Sequence, residues 1–258
     1  MQTPRDARKR DALGRSTTVA SVLSALAFVP SPPLLLAELA GSATGELDDM
    51  RAAAREVCED LGQSCHSWIG IGVGATTTWI DGDAAGTYAG FGADVVVGLA
   101  PDHGPVDRAM ELAALTVGLL RGQAVPQWSV PLQLVARNAS VQDVAAVALD
   151  LRARVDAAPG PVGLLVVGDG ATTLTDKAPG AFDDRAEAVQ QAIDDALGRA
   201  DVDALASLDP ALCDALGVDG RVAWQVAAAV VGPARVMPHS LFRGASYGVG
   251  YHVASWSL

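Results

Sequence analysis

Aromatic residues are scarce in this 258-residue chain, at 5% of the composition, and lysine occurs only at Lys9 and Lys177. No stretch approaches about 20 uninterrupted apolar residues, which excludes a membrane-spanning helix. The three cysteines, Cys58, Cys65 and Cys213, are odd in number and show no C-x-x-C or other ligand spacing. That pattern excludes a disulfide framework and a structural zinc, and it fits a reducing cytoplasm. There is no internal repeat, low-complexity tract or Ser/Gly/Pro-rich linker to divide the chain, so one domain is expected. Positive charge is unevenly placed, with Arg5, Arg8, Lys9, Arg10 and Arg15 forming a basic patch on the first fifteen residues. With a formal charge of -12 for the whole chain, the body is more acidic still and repels phosphodiesters. Nucleic acid and anionic membranes are therefore not expected partners.

What is present is aliphatic. Half of the residues are hydrophobic, mostly Ala, Val and Leu, which suits helices packed on a parallel sheet and supplies a sizeable core. Residues 1–17 read as a disordered basic tail and 18–258 as the folded domain. The run from Val19 to Ala27 imitates a short secretion signal, but Ser21 and Ser24 interrupt it and its removal would delete the first core strand. Val22 to Val29 then reads as that strand, closed by Pro30, Pro32 and Pro33. A helix is predicted over 44–62, where Leu47, Met50, Ala54, Val57 and Leu61 recur at helical spacing.

Trp68 to Gly74 reads as a glycine-broken strand, Asp94 to Leu99 as the next strand, 107–121 as a helix and Val130 to Ala136 as a further strand. Ser140 caps a helix with Asp143 three residues on. Pro161 to Gly168 is the clearest buried strand, followed by helical stretches at 183–198, 201–216 and 219–231, with Asp209-Pro210 as a start signal among them. Gly248 to Trp256 reads as the last strand. The alternation predicts an α/β domain with a mostly parallel or mixed central sheet and helices on both faces. In such sheets the ligand crevice lies beyond the carboxyl ends of the strands. The loops at Pro30 to Leu36, Gly74 to Asp83 and Gly168 to Pro179 compete for it.

Three segments carry a family resemblance: Val29-Pro30-Ser31-Pro32-Pro33-Leu34-Leu35; Val166-Val167-Gly168-Asp169-Gly170 followed by Ala178-Pro179-Gly180; and Tyr247-Gly248-Val249-Gly250-Tyr251. In order and spacing, over nearly the whole chain from Ala27, they resemble the B-subunit-like proteins of the class III extradiol ring-cleavage dioxygenases. That family includes the Memo-like proteins, and the resemblance is to an alanine-rich actinobacterial branch. It implies ferrous iron held by two histidines and a carboxylate, with open positions for a catechol and dioxygen, and a further histidine as acid and base.

Residue by residue, those implied ligands are absent. Ser31 stands where the first histidine is expected, and Gly74, Ala75, Thr76 and Thr77 stand near the second. The loop Gly168 to Leu174 has no acid/base histidine, and no carboxylate follows Asp219. Ala100-Pro101-Asp102-His103 is spelled like a ligand motif of some ring-cleaving members but follows the wrong strand, so His103 and Asp102 are weak metal candidates. Of the other histidines, His66 lies between a helix and a strand, His239 in a loop and His252 in the last strand.

Other constellations are weaker. Gly168-Asp169-Gly170 reads either as a phosphate- or metal-binding loop or as a turn that Asp169 caps with its own side chain. Asp81-Gly82-Asp83 reads as a surface turn rather than a calcium loop. There is no G-x-S-x-G and no cysteine in a nucleophile motif, while a Ser-His-Asp triad, which assembles in space, stays open. The expected reading is a degenerate member of the resembled family without iron-dependent ring cleavage and without a cofactor. Its inherited pocket would take a small molecule and be lined by Ser31, Pro32, Thr76, Asp169, Thr172, Thr173, Lys177 and Tyr247. A second reading is an active non-haem iron oxidoreductase with Fe(II) in a rearranged site around His103. A third is a binding or assembly protein, for which a homo-oligomer is expected.

Overall fold

Hydrophobic runs too short to be helices and buried on both faces set the frame of the molecule. The computed structural model describes residues 22–40 and 46–258, so the tail at 1–17 and the start of the signal-like segment lie outside the described residues. The elements begin with β1 (Leu23–Val29), α1 (Ala37–Ala40), α2 (Glu46–Ser64), β2 (Ser67–Gly74), β3 (Thr78–Ile80), β4 (Ala85–Thr87), β5 (Val96–Gly98) and β6 (Val106–Asp107). They continue with α3 (Leu112–Ala124), β7 (Leu132–Ala136), α4 (Val141–Asp156), β8 (Val162–Val167), α5 (Ala186–Arg199) and α6 (Val202–Ala206). The last are α7 (Pro210–Ala215), α8 (Arg221–Val231), β9 (Met237–Gly244) and β10 (Tyr251–Ser257).

Seven strands form one mixed sheet in the order β3-β7-β2-β8-β1-β10-β9. Strands β7, β2, β8 and β1 run parallel, while β3, β10 and β9 each pair antiparallel. At the centre, every residue of β8 is buried. Leu164 and Val166 join the core under α4, α5 and α8, while Leu165 and Val167 join the core under α2 and α3. An unbroken apolar run is what a strand covered on both faces requires. The expected α/β domain with helices on both faces is thus observed.

Local signals place the helix ends. Ser140 and Asp143 form a reciprocal capping box on α4. Asp209 caps α7 ahead of Pro210, breaking the helix predicted over 201–216 into α6 and α7. Several expectations are corrected. The strand expected over Asp94 to Leu99 lies outside the central sheet, as β5 of a small sheet ordered β5-β4-β6. The helix expected from 107 starts at Leu112, because Val106 and Asp107 pair with β4. His239 lies in β9, not a loop, because an edge strand tolerates the neighbouring Pro238 that argues against a strand. The three cysteines are buried thiols, and burial pushes Cys65 and Cys213 up to about 11.

Strand β2 is continuous despite its glycines, which instead let α3 approach the sheet. A Cβ at Gly72 would stand 2.5 Å from the Cβ of Ala113 on α3. Gly72→Val therefore forces helix and sheet apart and is expected to cost about 1–3 kcal/mol. Denaturant unfolding checks this as a lower midpoint at unchanged slope.

Candidate functional site

Because β7, β2, β8 and β1 are parallel, the residues that follow them gather at one end of the sheet. There the turn after β1 meets the loop after β8. The backbone N–H of Ser31 donates to Asp169 Oδ1 at 2.7 Å, and the Ser31 hydroxyl lies 3.1 Å from Oδ2. Ser31 and Pro32 are buried, and Pro32 is extended ahead of the 3-10 turn Pro33–Leu35, so the turn presents its N–H groups rigidly. Asp169 caps neither its own turn nor an open phosphate cradle, since its side chain is spent on Ser31. Burial pushes its carboxyl up to about 6, and the two Ser31 donors limit the rise.

Tyr251, at the start of β10, is buried nearby, and its hydroxyl is raised by burial first and then by the negative charge of Asp169. Tyr247 also bears on Tyr251 electrostatically. It is 56% exposed and held at φ 57, a left-handed conformation uncommon for a side chain of its size.

The remaining expected pocket residues divide. Thr172 and Thr173 turn toward the end of α7, where the Thr172 N–H and the Thr173 hydroxyl both donate to the Leu216 carbonyl. Thr76 and Lys177 are exposed and make no hydrogen bond to the Ser31–Asp169 pair. His103 is exposed, with its ring against the Gly104 carbonyl at 2.9 Å, and Asp102 is exposed beside it. His66 immediately precedes β2, at the opposite end of the sheet from Ser31. Among the described residues no group of three or more His, Cys, Asp or Glu side chains could hold one metal ion. Asp81 to Asp83 form a surface turn, with Asp81 accepting from the Trp79 indole at 3.0 Å.

A cleft of about 420 Å³ opens beside this loop, beyond the carboxyl end of β7. Its wall includes Arg137, Asn138, Asp214, Asp219 and Arg221. Arg137 pairs with Asp219, while buried Arg221 donates to the Arg137 carbonyl at 3.0 Å and to Gln225 Oε1 at 2.9 Å. The Gly220 N–H donates to the Asp169 carbonyl at 2.8 Å, so the cleft wall and the Asp169 loop are joined. No sequence signal marks this cleft, because its residues come from two stretches, 137–140 and 210–221, that are far apart in the chain and form no joint motif.

In class, then, the protein is a mixed α/β domain with its candidate site at the carboxyl ends of the parallel strands. No family model matches the chain. No curated protein matches it either. Among solved structures it is similar to the uncharacterized protein JW3007 from Escherichia coli K12. The TM-score is 0.47 and the identity 12%, over 91% of this chain and 100% of the other.

The raised Asp169 has a consequence for stability. Between the ordinary carboxyl range near 4 and about 6, the folded state holds a proton that the unfolded state has released, so stability falls as pH rises through this window. Asp169→Asn removes that loss. Urea unfolding at pH 4 and pH 7 is expected to show the native protein losing on the order of 2 kcal/mol more than the variant between the two.

Proposed function

We propose that this chain is a degenerate relative of the class III extradiol dioxygenases that has lost iron-dependent ring cleavage and keeps the carboxyl end of its sheet for binding a small molecule. The observation that supports this reading is the double contact of Ser31 with Asp169. At the position where the resemblance implies an imidazole lone pair aimed at iron, the chain presents two hydrogen-bond donors, and both are committed to a carboxylate. A cation there would have to compete with those donors for Asp169 and would gain only a neutral hydroxyl from Ser31. The neighbouring cleft of about 420 Å³ is of the size that takes a small organic molecule.

The test is metal content together with oxygen consumption. Protein purified without chelator and then supplied with ferrous iron is expected to retain iron well below one equivalent and to consume no oxygen on addition of catechol. One equivalent of bound iron with catechol-dependent oxygen uptake overturns the reading in favour of an active oxidoreductase with a rearranged site.

A further inference from the structure

At the other end of β10 from its sheet pairing with β1, a second cluster of polar side chains has no part in the site above. His252 is buried on the face of the sheet that α5 covers. Its Nδ1 lies 3.0 Å from Asp194 Oδ1, and its Nε2 lies 3.0 Å from the hydroxyl of Ser240 on β9. Asp194 Oδ1 also accepts from Gln190 Nε2 at 3.0 Å, and Gln190 Oε1 accepts from the backbone N–H of Ala171 at 2.9 Å.

The direction of every bond in this series follows from its first member. A backbone N–H can only donate, so the Gln190 oxygen faces Ala171 and its amide nitrogen faces Asp194. Asp194 is therefore the acceptor. It takes its second hydrogen bond from Nδ1–H of His252, which leaves Nε2 with a free lone pair toward the Ser240 hydroxyl. This is the arrangement of a nucleophile, a base and an orienting carboxylate.

Strand irregularity supplies the second observation. Val253 pairs with Phe242 but Ala254 pairs with Ser240, so Leu241 is the extra residue of a β-bulge. In a regular ladder Leu241 would oppose Ala254, and Ser240 would point to the far face of the sheet. The bulge turns Ser240 onto the face shared by Ala254 and His252, while Leu241 and Phe242 pack into the opposite core. Arg243, the cross-strand partner of His252, reaches the same helix and donates to the Asp194 carbonyl at 2.8 Å. Ser240 is exposed, whereas the His252 side chain is 2% exposed and that of Asp194 14%. The nucleophile is thus open to solvent above a base that is sealed.

We propose that Ser240, His252 and Asp194 form an acyl-transfer site for small activated carboxylic esters. Ser240 stands on an edge strand rather than deep in a cleft, so it favours unhindered acyl groups with good leaving groups. Ser240 Oγ bonds to the ester carbonyl carbon as its proton passes to His252 Nε2. The bond to the leaving oxygen then breaks and the proton departs with the alcohol or to solvent. Water next attacks the acyl-serine carbonyl as one of its protons passes to His252 Nε2, the bond to Ser240 Oγ breaks, and His252 returns that proton to Oγ as the carboxylic acid leaves.

The test uses the full chain with 4-nitrophenyl acetate and with a fluorophosphonate probe mapped by peptide mass spectrometry. The expected result is a single phosphonyl adduct on Ser240, and ester hydrolysis that falls at least tenfold in Ser240→Ala and at least tenfold in Asp194→Asn. Ser240→Ala removes the partner of the buried His252 Nε2 and is expected to melt below the native protein, so its rate is measured where circular dichroism shows it folded, and Ser240→Cys, which keeps a nucleophile there, is expected to retain adduct formation. An unchanged hydrolysis rate in folded Ser240→Ala, or an adduct at another residue, overturns the proposal and leaves the series of bonds as a way of satisfying a buried imidazole.

Discussion

The backbone of residues 168–171, where the chain leaves β8, is the constraint on which both polar clusters depend. Gly168 N–H donates to the Val29 carbonyl at 3.0 Å and Gly170 N–H to the Gly250 carbonyl at 2.9 Å. Gly250 N–H donates back to Ala171, and Gly220 N–H donates to Asp169. Together these four bonds join the loop to three parts of the fold: the end of β1, the approach to β10 and the start of α8. A loop that satisfies its backbone groups in this way has little freedom left. Its glycines are needed for contact rather than for flexibility. A Cβ on Gly168 would stand 2.5 Å from Gly220 Cα, and one on Gly170 would stand 2.0 Å from Gln190 Oε1.

From this fixed loop two neighbouring residues act in opposite directions. Asp169 offers a carboxylate toward Ser31, at the carboxyl end of the parallel strands. Ala171 offers an N–H to Gln190 and thereby sets the polarity of the bonds running to Asp194, His252 and Ser240. The two acids therefore differ in surroundings. Asp169 is desolvated, and among the described residues only Ser31 donates to its carboxylate, so the carboxyl rises to about 6. Asp194 receives both the Gln190 amide and the His252 imidazole.

Most of the fold was legible in the sequence because its signals are local. The buried run of β8, the Ser140–Asp143 capping box and Asp209-Pro210 each act over a few residues. What was not legible is pairing at a distance. Strand β9 carries Pro238 and no clean alternation, and it becomes a strand only because β10 lies beside it. Asp94 to Leu99 looks like any short β-run, and its place in a separate small sheet depends on β4 and α3 rather than on its own residues. Of the expected pocket, Ser31 and Asp169 do meet, although they are 138 positions apart, because the turn after β1 and the loop after β8 leave adjacent parallel strands. Asp194 is 58 positions from His252 and Ser240 is 12, with no motif joining them. Only the bulge at Leu241 brings the hydroxyl to the imidazole.

Ser31 is where the two kinds of information meet. The resemblance assigns this turn to a side chain that offers a lone pair, and a lone pair attracts a cation. A serine in the same rigid turn offers hydrogen atoms from its hydroxyl and its backbone N–H, and hydrogen atoms attract an anion. The nearest anion is Asp169, which burial alone would drive further toward the neutral form. Serine at this position thus directs the turn toward an anion, while Pro30, Pro32 and Pro33 restrict the path of the turn independently of the residue among them.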